Sequence, residues 1–149
     1  MRSITATVAT LALALAFLAP NQAMAGEHSD DANMAFVTVT SADSQTRGMA
    51  LVLANQMAEQ GAEVRVLLCG PGAELALHDY QPPRLKPRDV TPRQLLHNLM
   101  GGGATVEVCA IFLPNTGYEE GDLAEGIGVA RPDDVAEWML QPNVRWFSH

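Results

Sequence analysis

The stretch Thr-Val-Glu-Val-Cys-Ala-Ile-Phe-Leu at residues 105–113 decides the fold class of this chain. It is a short apolar run between three glycines at 101–103 and the turn-forming Pro-Asn-Thr-Gly at 114–117. A run of this length with such boundaries is typical of a strand that is buried on both faces. We therefore predict a strand from Thr105 to about Leu113. The run Glu-Val-Arg-Val-Leu-Leu-Cys at 63–69, closed by Gly-Pro-Gly, predicts a second one.

Segments with helical periodicity alternate with these strands. A strand over 34–40 precedes a helix whose apolar face holds Ala50, Leu53, Ala54 and Met57, and Gly61 ends that helix. A short helix is expected over 73–78. Thr91, Pro92 and Gln94 form the sequence pattern of a capping box, which predicts a helix start there.

The C-terminal part continues the alternation. We expect a helical turn near 122–125, a strand over 126–130, a helix from 132 to about 140 and a closing strand over 144–147. Strands that alternate with helices predict βαβ units and a parallel sheet covered on both faces. The predicted fold is α/β, a three-layer α/β/α sandwich with a mostly parallel sheet of about five strands.

Residues 1–25 have the pattern of a secretory signal peptide. Arg2 precedes an apolar run over 4–18, and Ala-Met-Ala at 23–25 predicts cleavage before Gly26. The run is shorter than the roughly 20 residues that span a bilayer, so we expect no membrane anchor. The sequence thus predicts a periplasmic protein with a disordered lead-in over 26–33 and one domain over 34–149.

The composition argues against several classes of partner and site. The formal net charge is −8, and the acidity disfavours nucleic acid and anionic membrane surfaces as partners. Two cysteines exclude a disulfide-rich scaffold. The four histidines show no metal-ligand spacing, so neither a metal nor an organic cofactor is expected.

Ligand sites of parallel sheets lie beyond the carboxyl ends of the strands. In this chain that edge collects the loops at 41–43, 70–72 and 114–118. Cys109 lies near it. From the residues alone Cys109 is either a small buried core residue, as free cysteine often is, or a nucleophile held at this edge.

Several of these segments together resemble the DsrE/DsrF-like family. They are the strand over 34–40, the helix ending at Gly61, the strand over 64–69 and above all Gly-Ala-Thr-Val-Glu-Val-Cys at 103–109. The resemblance continues through Leu-Pro-Asn at 113–115 and Gly-Ile-Gly-Val-Ala at 126–130, and covers nearly the whole chain after the predicted signal.

The resemblance implies a small α/β protein that forms trimers or hexamers and relays sulfur as a cysteine persulfide. The residue matching the accepting cysteine is Cys109, and the resemblance implies that the third strand ends earlier than periodicity predicts. Asn115, Tyr118 and Lys86 are the predicted substrate-binding residues around it. The implied partners are small sulfur species or a thiol-bearing protein.

Sulfur transfer requires a thiolate, and cations nearby would favour one. Arg84, Lys86, Arg88 and Arg93 fall within ten residues and are candidates for the wall of an anion site. The alternative is a solvated proline-rich loop.

Cys69 ends the second predicted strand, at the same edge as Cys109. It is either a resolving or disulfide-forming partner of Cys109 or a small apolar plug. With the first strand between the second and third, the two cysteines would be two strand spacings apart, roughly 9–10 Å. A disulfide needs Cα atoms within about 7 Å, so this order predicts no bridge.

Three hypotheses follow. In the first, the chain is an exported sulfur carrier or sulfurtransferase in which Cys109 accepts sulfane sulfur as a persulfide and passes it to a thiol. In the second, it is a non-catalytic oligomeric module that binds a ligand or partner. In the third, Cys109 and a nearby methionine bind a soft metal such as Cu(I).

Overall fold

The computed structural model describes residues 33–149, so the predicted signal peptide and most of the lead-in lie outside the described residues. The strands are β1 (Met34–Val39), β2 (Glu63–Leu68), β3 (Thr105–Val108), β4 (Gly128–Val129) and β5 (Val144–Ser148). The α-helices are α1 (Ser44–Glu59), α2 (Pro92–Gly101), α3 (Phe112–Thr116) and α4 (Pro132–Met139), and 3₁₀ helices span Gly70–Ala76 and Glu120–Asp122.

The five strands form one sheet in the order β4-β3-β2-β1-β5, and all four strand pairings are parallel. The predicted α/β class with a five-stranded parallel sheet is confirmed. No helix within residues 33–149 is long and apolar enough to cross a membrane.

Alternation along the strands divides the core between the two faces of the sheet. On one face α1 and α2 bury the main cluster, which includes Val37, Val66 and Val106. On the other face α4 packs over Phe36, whose ring lies 5.7 Å from that of Trp138. The helices thus form a layer on each side of the sheet.

Capping explains where the two longer helices begin. The carboxylate of Asp43 accepts from the backbone N–H of Thr46 at 2.8 Å, and this bond, with one from the Thr46 hydroxyl, lowers the pKa of Asp43. At α2 the predicted capping box is present: Thr91 accepts from the Gln94 N–H at 3.1 Å, and the Gln94 side chain accepts from the Thr91 N–H at 2.9 Å.

The predicted strand over 105–113 is too long, because β3 ends at Val108. The Phe112 N–H donates to the Cys109 carbonyl at 2.9 Å, which closes a turn and starts α3. Ile111 points outward with 70% of its surface exposed, whereas Phe112 is buried. Apolar periodicity does not distinguish a buried strand from a strand followed by a short helix, which is why it failed here.

Three shorter elements also differ from the prediction. The helix expected over 73–78 is the 3₁₀ helix Gly70–Ala76, and the turn expected near 122–125 is the 3₁₀ helix Glu120–Asp122. The strand expected over 126–130 is reduced to Gly128–Val129. A turn precedes it, since the Ile127 N–H donates to the Ala124 carbonyl at 3.1 Å.

The assumed strand order is wrong where it matters for the cysteines. β2, rather than β1, is the strand next to β3, with Leu68 paired to Val108. Local periodicity specifies which segments are strands but carries no information about which strands are neighbours. As a consequence, Cys69 and Cys109 follow adjacent strands.

Candidate functional site

The backbone of Cys109 is held on both sides at the carboxyl end of β3. Its N–H donates to the Leu68 carbonyl at 2.9 Å, which extends the pairing with β2 by one residue. Its carbonyl accepts from Phe112 at the start of α3. The side chain is half-buried. Cys109 therefore lies at the end of a rigid strand, where parallel sheets place their ligand sites.

Cys109 lines a groove between the sheet and α4. The groove has a volume of about 340 Å³. Its walls come from the sheet, from the turn after Cys109 and from α4, and include Leu67, Ala130, Ala110, Ile111, Ala136 and Met139. Charged side chains are absent from its lining within the described chain. Such a groove favours a ligand of low charge, because an ion would lose its hydration there without compensation.

Cys69 lies beside Cys109 at the same edge. It follows Leu68 as Cys109 follows Val108, and these two residues are paired across β2 and β3. The Cys69 N–H donates to the Val39 carbonyl at 3.0 Å, so this residue is also anchored to its neighbouring strand. Both cysteines are free and half-buried. The expectation of no bridge rested on a separation of two strands, and that premise is wrong.

The environment of Cys69 disfavours its thiolate. Burial is the largest cause that raises the pKa of the Cys69 thiol to about 12, and the interaction with the Cys109 side chain contributes to the same rise. Cys69 is therefore protonated at neutral pH. The effect of Cys109 on this pKa indicates that the two side chains lie near each other.

Two of the predicted substrate-binding residues lie on or just after α3. The Asn115 amide donates to the Ile111 carbonyl at 2.7 Å, and the side chain is exposed. The Tyr118 ring stacks on Phe112 with 6.0 Å between ring centroids. Both follow Cys109 closely in the chain, although neither lines the groove. Their substrate-binding role stays a prediction.

Lys86, the third predicted substrate-binding residue, lies in the loop over 84–89. Its ammonium pairs with Asp89 at 2.8 Å, and Arg84 also pairs with Asp89, at 3.7 Å. Leu85 fixes this loop on α1, since a Cβ built on Gly48 would lie 2.2 Å from the Leu85 Cδ1 atom. The loop thus rests on the α1 face, and the groove beside Cys109 opens on the α4 face.

The remaining cations of that cluster do not bring charge to the groove either. Arg93 donates to the backbone carbonyls of His78 and Tyr80. Neither Arg88 nor Arg93 is among the groove residues. These contacts favour the alternative of a solvated proline-rich loop over the wall of an anion site beside Cys109.

Arg47 is a residue at this edge that sequence reasoning missed. Its side chain is fully buried, and its guanidinium donates to the carbonyls of Ser41 and Pro71, to the Tyr80 hydroxyl at 2.6 Å and to Glu74 at 3.0 Å. It thereby ties the loop after β1 to the loop after β2.

A signal for Arg47 was present in the spacing of α1. The predicted apolar face included Leu53, but Leu53 is 41% exposed. The buried stripe is Arg47, Ala50, Leu51 and Ala54, which has the i, i+3, i+4, i+7 spacing of one helix face. A basic residue at the first position of that stripe had to be buried, and a buried arginine requires partners.

Metal binding gains little support from the side chains of residues 33–149. They contain no cluster of three or more histidine, cysteine or acidic residues that could hold an ion. Met139 lines the groove with Cys109, so the soft-metal hypothesis retains a cysteine and a thioether at one place.

Comparison with known proteins finds solved structures with a similar fold. No protein-family model matches the chain, and no curated protein matches it. The crystal structure of the ychN protein from E. coli matches with a TM-score of 0.66 and 18% identity, over 79% of this chain and 99% of that one. MTH1491 from Methanobacterium thermoautotrophicum, described as a protein of unknown function, matches with a TM-score of 0.59 and 18% identity, over 80% and 100%. These likenesses show that the chain shares the fold of these two proteins.

Proposed function

We propose that this chain is an exported, DsrE/DsrF-like sulfur carrier in which Cys109 accepts a sulfane sulfur and passes it to another thiol. The observation that carries the proposal is the position of Cys109 at the carboxyl end of β3, on the wall of an apolar groove. The resemblance of residues 103–109 to the family motif and the DsrE/DsrF-like fold agree with it.

Loading is a nucleophilic substitution at sulfur. The Cys109 thiolate attacks the outer sulfur of a persulfide donor, a new S–S bond forms at Cys109, and the donor leaves as a thiolate. Delivery is the same type of substitution, with Cys109 as the leaving group: an acceptor thiolate attacks the outer sulfur of the Cys109 persulfide, and Cys109 leaves as the thiolate. Each step conserves charge and needs no oxidant or cofactor.

The groove bears on which donors fit. Thiosulfate carries two negative charges, which an apolar wall without cations does not stabilise. An organic persulfide on a small thiol or on a protein presents a soft sulfur with less charge. We therefore infer that a persulfide loads the chain more rapidly than thiosulfate does.

The test is the intact mass of the protein, without its first 25 residues, after incubation with an organic persulfide. At early times wild type should gain one sulfur atom and Cys109→Ala should gain none. Cys69→Ala is the matched control, because it removes the neighbouring thiol and should still load. Equal gain by wild type and Cys109→Ala would contradict the proposal.

A second candidate function is an oligomeric binding module without sulfur chemistry. Ile111 in the groove wall exposes 70% of its surface, Leu140 directly after α4 exposes 84%, and Trp146 on β5 exposes 62%. Exposed apolar side chains of this size are typical of protein interfaces. This supports a homo-oligomer, which we propose to be a trimer or hexamer.

The two candidates make different predictions for Cys109. In a carrier, the Cys109 thiol has to be reactive in the assembled protein, so an alkylating agent should modify Cys109 completely in the folded state. In a binding module, Cys109 alkylates slowly and no sulfur is gained. Sedimentation of wild type and Leu140→Glu tests the oligomer separately, because a charge at an apolar interface should weaken association.

A further inference from the structure

Cys69 is a second nucleophile at the site that the proposed function does not use. It follows β2 and Cys109 follows β3, directly after the paired residues Leu68 and Val108. Neighbouring strands are about 4.8 Å apart, and the Cα atoms of a disulfide are about 4.4–6.8 Å apart. The backbone separation at this position thus suits a disulfide.

The side chains also share a face of the sheet. Leu68 and Val108 belong to the core beneath α1 and α2. Side chains alternate along a strand, and Cys69 still has extended backbone angles, φ −131° and ψ 156°. Cys69 therefore points to the opposite face, on which Cys109 lines the groove with Leu67. The Cys109 side chain is also among the groups that raise the pKa of Cys69, which agrees with this placement.

We propose that Cys69 is a resolving thiol that discharges a persulfide on Cys109 as hydrogen sulfide and leaves a Cys69–Cys109 disulfide. The inference rests on the proposed carrier function. It adds to that function a second reaction of the carried sulfur, its release as hydrogen sulfide when no acceptor thiol is present.

The step balances without an external oxidant. The Cys69 sulfur attacks the Sγ atom of Cys109, a Cys69–Cys109 S–S bond forms, and the bond from Cys109 to the outer sulfur breaks. The outer sulfur leaves with the bonding electron pair and takes the proton of the Cys69 thiol. The Cys69 sulfur is oxidised and the outer sulfur is reduced. An external dithiol reductant restores the two thiols.

The small thiolate fraction of Cys69 limits the rate of this reaction. A thiol attacks only as its thiolate, and the raised pKa of Cys69 keeps that fraction small at neutral pH. The persulfide on Cys109 therefore lasts long enough to react with an acceptor thiol. When no acceptor is present, the neighbouring Cys69 thiol reacts with it instead. Proximity favours this attack over that of a thiol free in solution.

The experiment follows a loaded carrier without acceptor. Wild type and Cys69→Ala are loaded with an organic persulfide, separated from excess reagent under argon and followed by intact mass and a sulfide assay. Wild type should release one sulfide per persulfide and end two hydrogens lighter than the unloaded dithiol. The persulfide on Cys69→Ala should persist at least about tenfold longer.

Failure of the two proposals is distinguishable. Equal persulfide lifetimes in wild type and Cys69→Ala overturn the resolving role and leave the carrier standing. Absence of loading in both variants overturns the carrier and, with it, the discharge reaction.

A second measurement tests the thiol pair without persulfide. Equilibration with oxidised and reduced glutathione should convert wild type to an intramolecular disulfide, two hydrogens lighter than the dithiol. Cys69→Ala should stop at a mixed disulfide on Cys109. A stable mixed disulfide on wild type would contradict the pairing of these two thiols.

Discussion

The guanidinium of Arg47 donates to the hydroxyl of Tyr80 at 2.6 Å and lies 5.4 Å from the centroid of the same ring. It also binds the carbonyls of Ser41 and Pro71, which follow β1 and β2. A single buried cation thus joins the loops at the carboxyl edge of the sheet, where Cys69 and Cys109 lie.

Replacing Arg47 with Met should destabilise the protein by about 3 kcal/mol, because the change leaves the carbonyls of Ser41 and Pro71 and the Tyr80 hydroxyl without their donor. Urea unfolding measures the effect. Glu74→Gln is the matched control: Glu74 accepts from the same guanidinium but is 45% exposed, so its charge should contribute less than about 1 kcal/mol. Equal midpoints for Arg47→Met and wild type would show that this contact network is dispensable.

Gly72→Ala should destabilise the fold by about 2 kcal/mol or more, since a Cβ there would lie 2.0 Å from the Val39 carbonyl oxygen. That oxygen belongs to the last residue of β1, which also accepts from Cys69. Gly121→Ala serves as control, because a Cβ at Gly121 meets nothing within 4 Å. Thermal unfolding of both variants provides the comparison, and a wild-type melting temperature for Gly72→Ala would count against the close approach.

Alkylation of Cys69 should accelerate about tenfold per pH unit through pH 10 without levelling off, because only the thiolate reacts and its pKa is raised to about 12. Peptide mass spectrometry after timed alkylation separates Cys69 from Cys109. A plateau near pH 9, the ordinary value for the thiol, would mean that Cys69 is not desolvated.

The same shift predicts a dependence of stability on pH. Between the unfolded value of 9.0 and about 12, the unfolded chain has lost the Cys69 proton and the folded chain retains it. Stability should therefore fall with rising pH in that range and be unaffected by Cys69 below it. Comparing urea midpoints of wild type and Cys69→Ala across this range isolates the thiol. Parallel pH profiles would rule out the linkage.

Filling the groove should protect Cys109. Ala136 lies on α4, is exposed and lines the groove, so Ala136→Trp places a ring in the path to the thiol without replacing a core residue. Alkylation of Cys109 by a bulky maleimide should slow by about tenfold. Glu137→Trp, the next residue of α4 and outside the groove, should leave the rate unchanged. Equal slowing by both variants would indicate an effect of the helix rather than of the groove.

Local signals predicted most of the elements and part of the site. The capping box at Thr91 and Gln94 and the positive φ of Gly61 after α1 are short-range features, and both have the expected geometry. The resemblance implied that the third strand ends early, near Cys109, whereas periodicity alone extended the strand to Leu113. The turn that ends β3 at Val108 depends on burying Phe112, which is a tertiary contact.

What escaped prediction depends on contacts between distant residues. The adjacency of β2 and β3 brings Cys69 beside Cys109, and no local pattern encodes which strands are neighbours. The burial of Arg47 depends on acceptors from two loops. The groove forms where α4 lies beside the end of β3, and its lining is apolar. The cation cluster at residues 84–93, from which Lys86 was predicted as a site residue, gave no indication of this lining.

The most direct test of sulfur transfer is to locate the sulfur on the folded chain. The protein is exposed briefly to an organic persulfide, its sulfur groups are capped with an alkylating agent, and the peptides are mapped by mass spectrometry. We expect the capped persulfide on the peptide that contains Cys109, and none on the peptide that contains Cys69 at early times. A persulfide confined to Cys69, or present on neither peptide, would contradict the account.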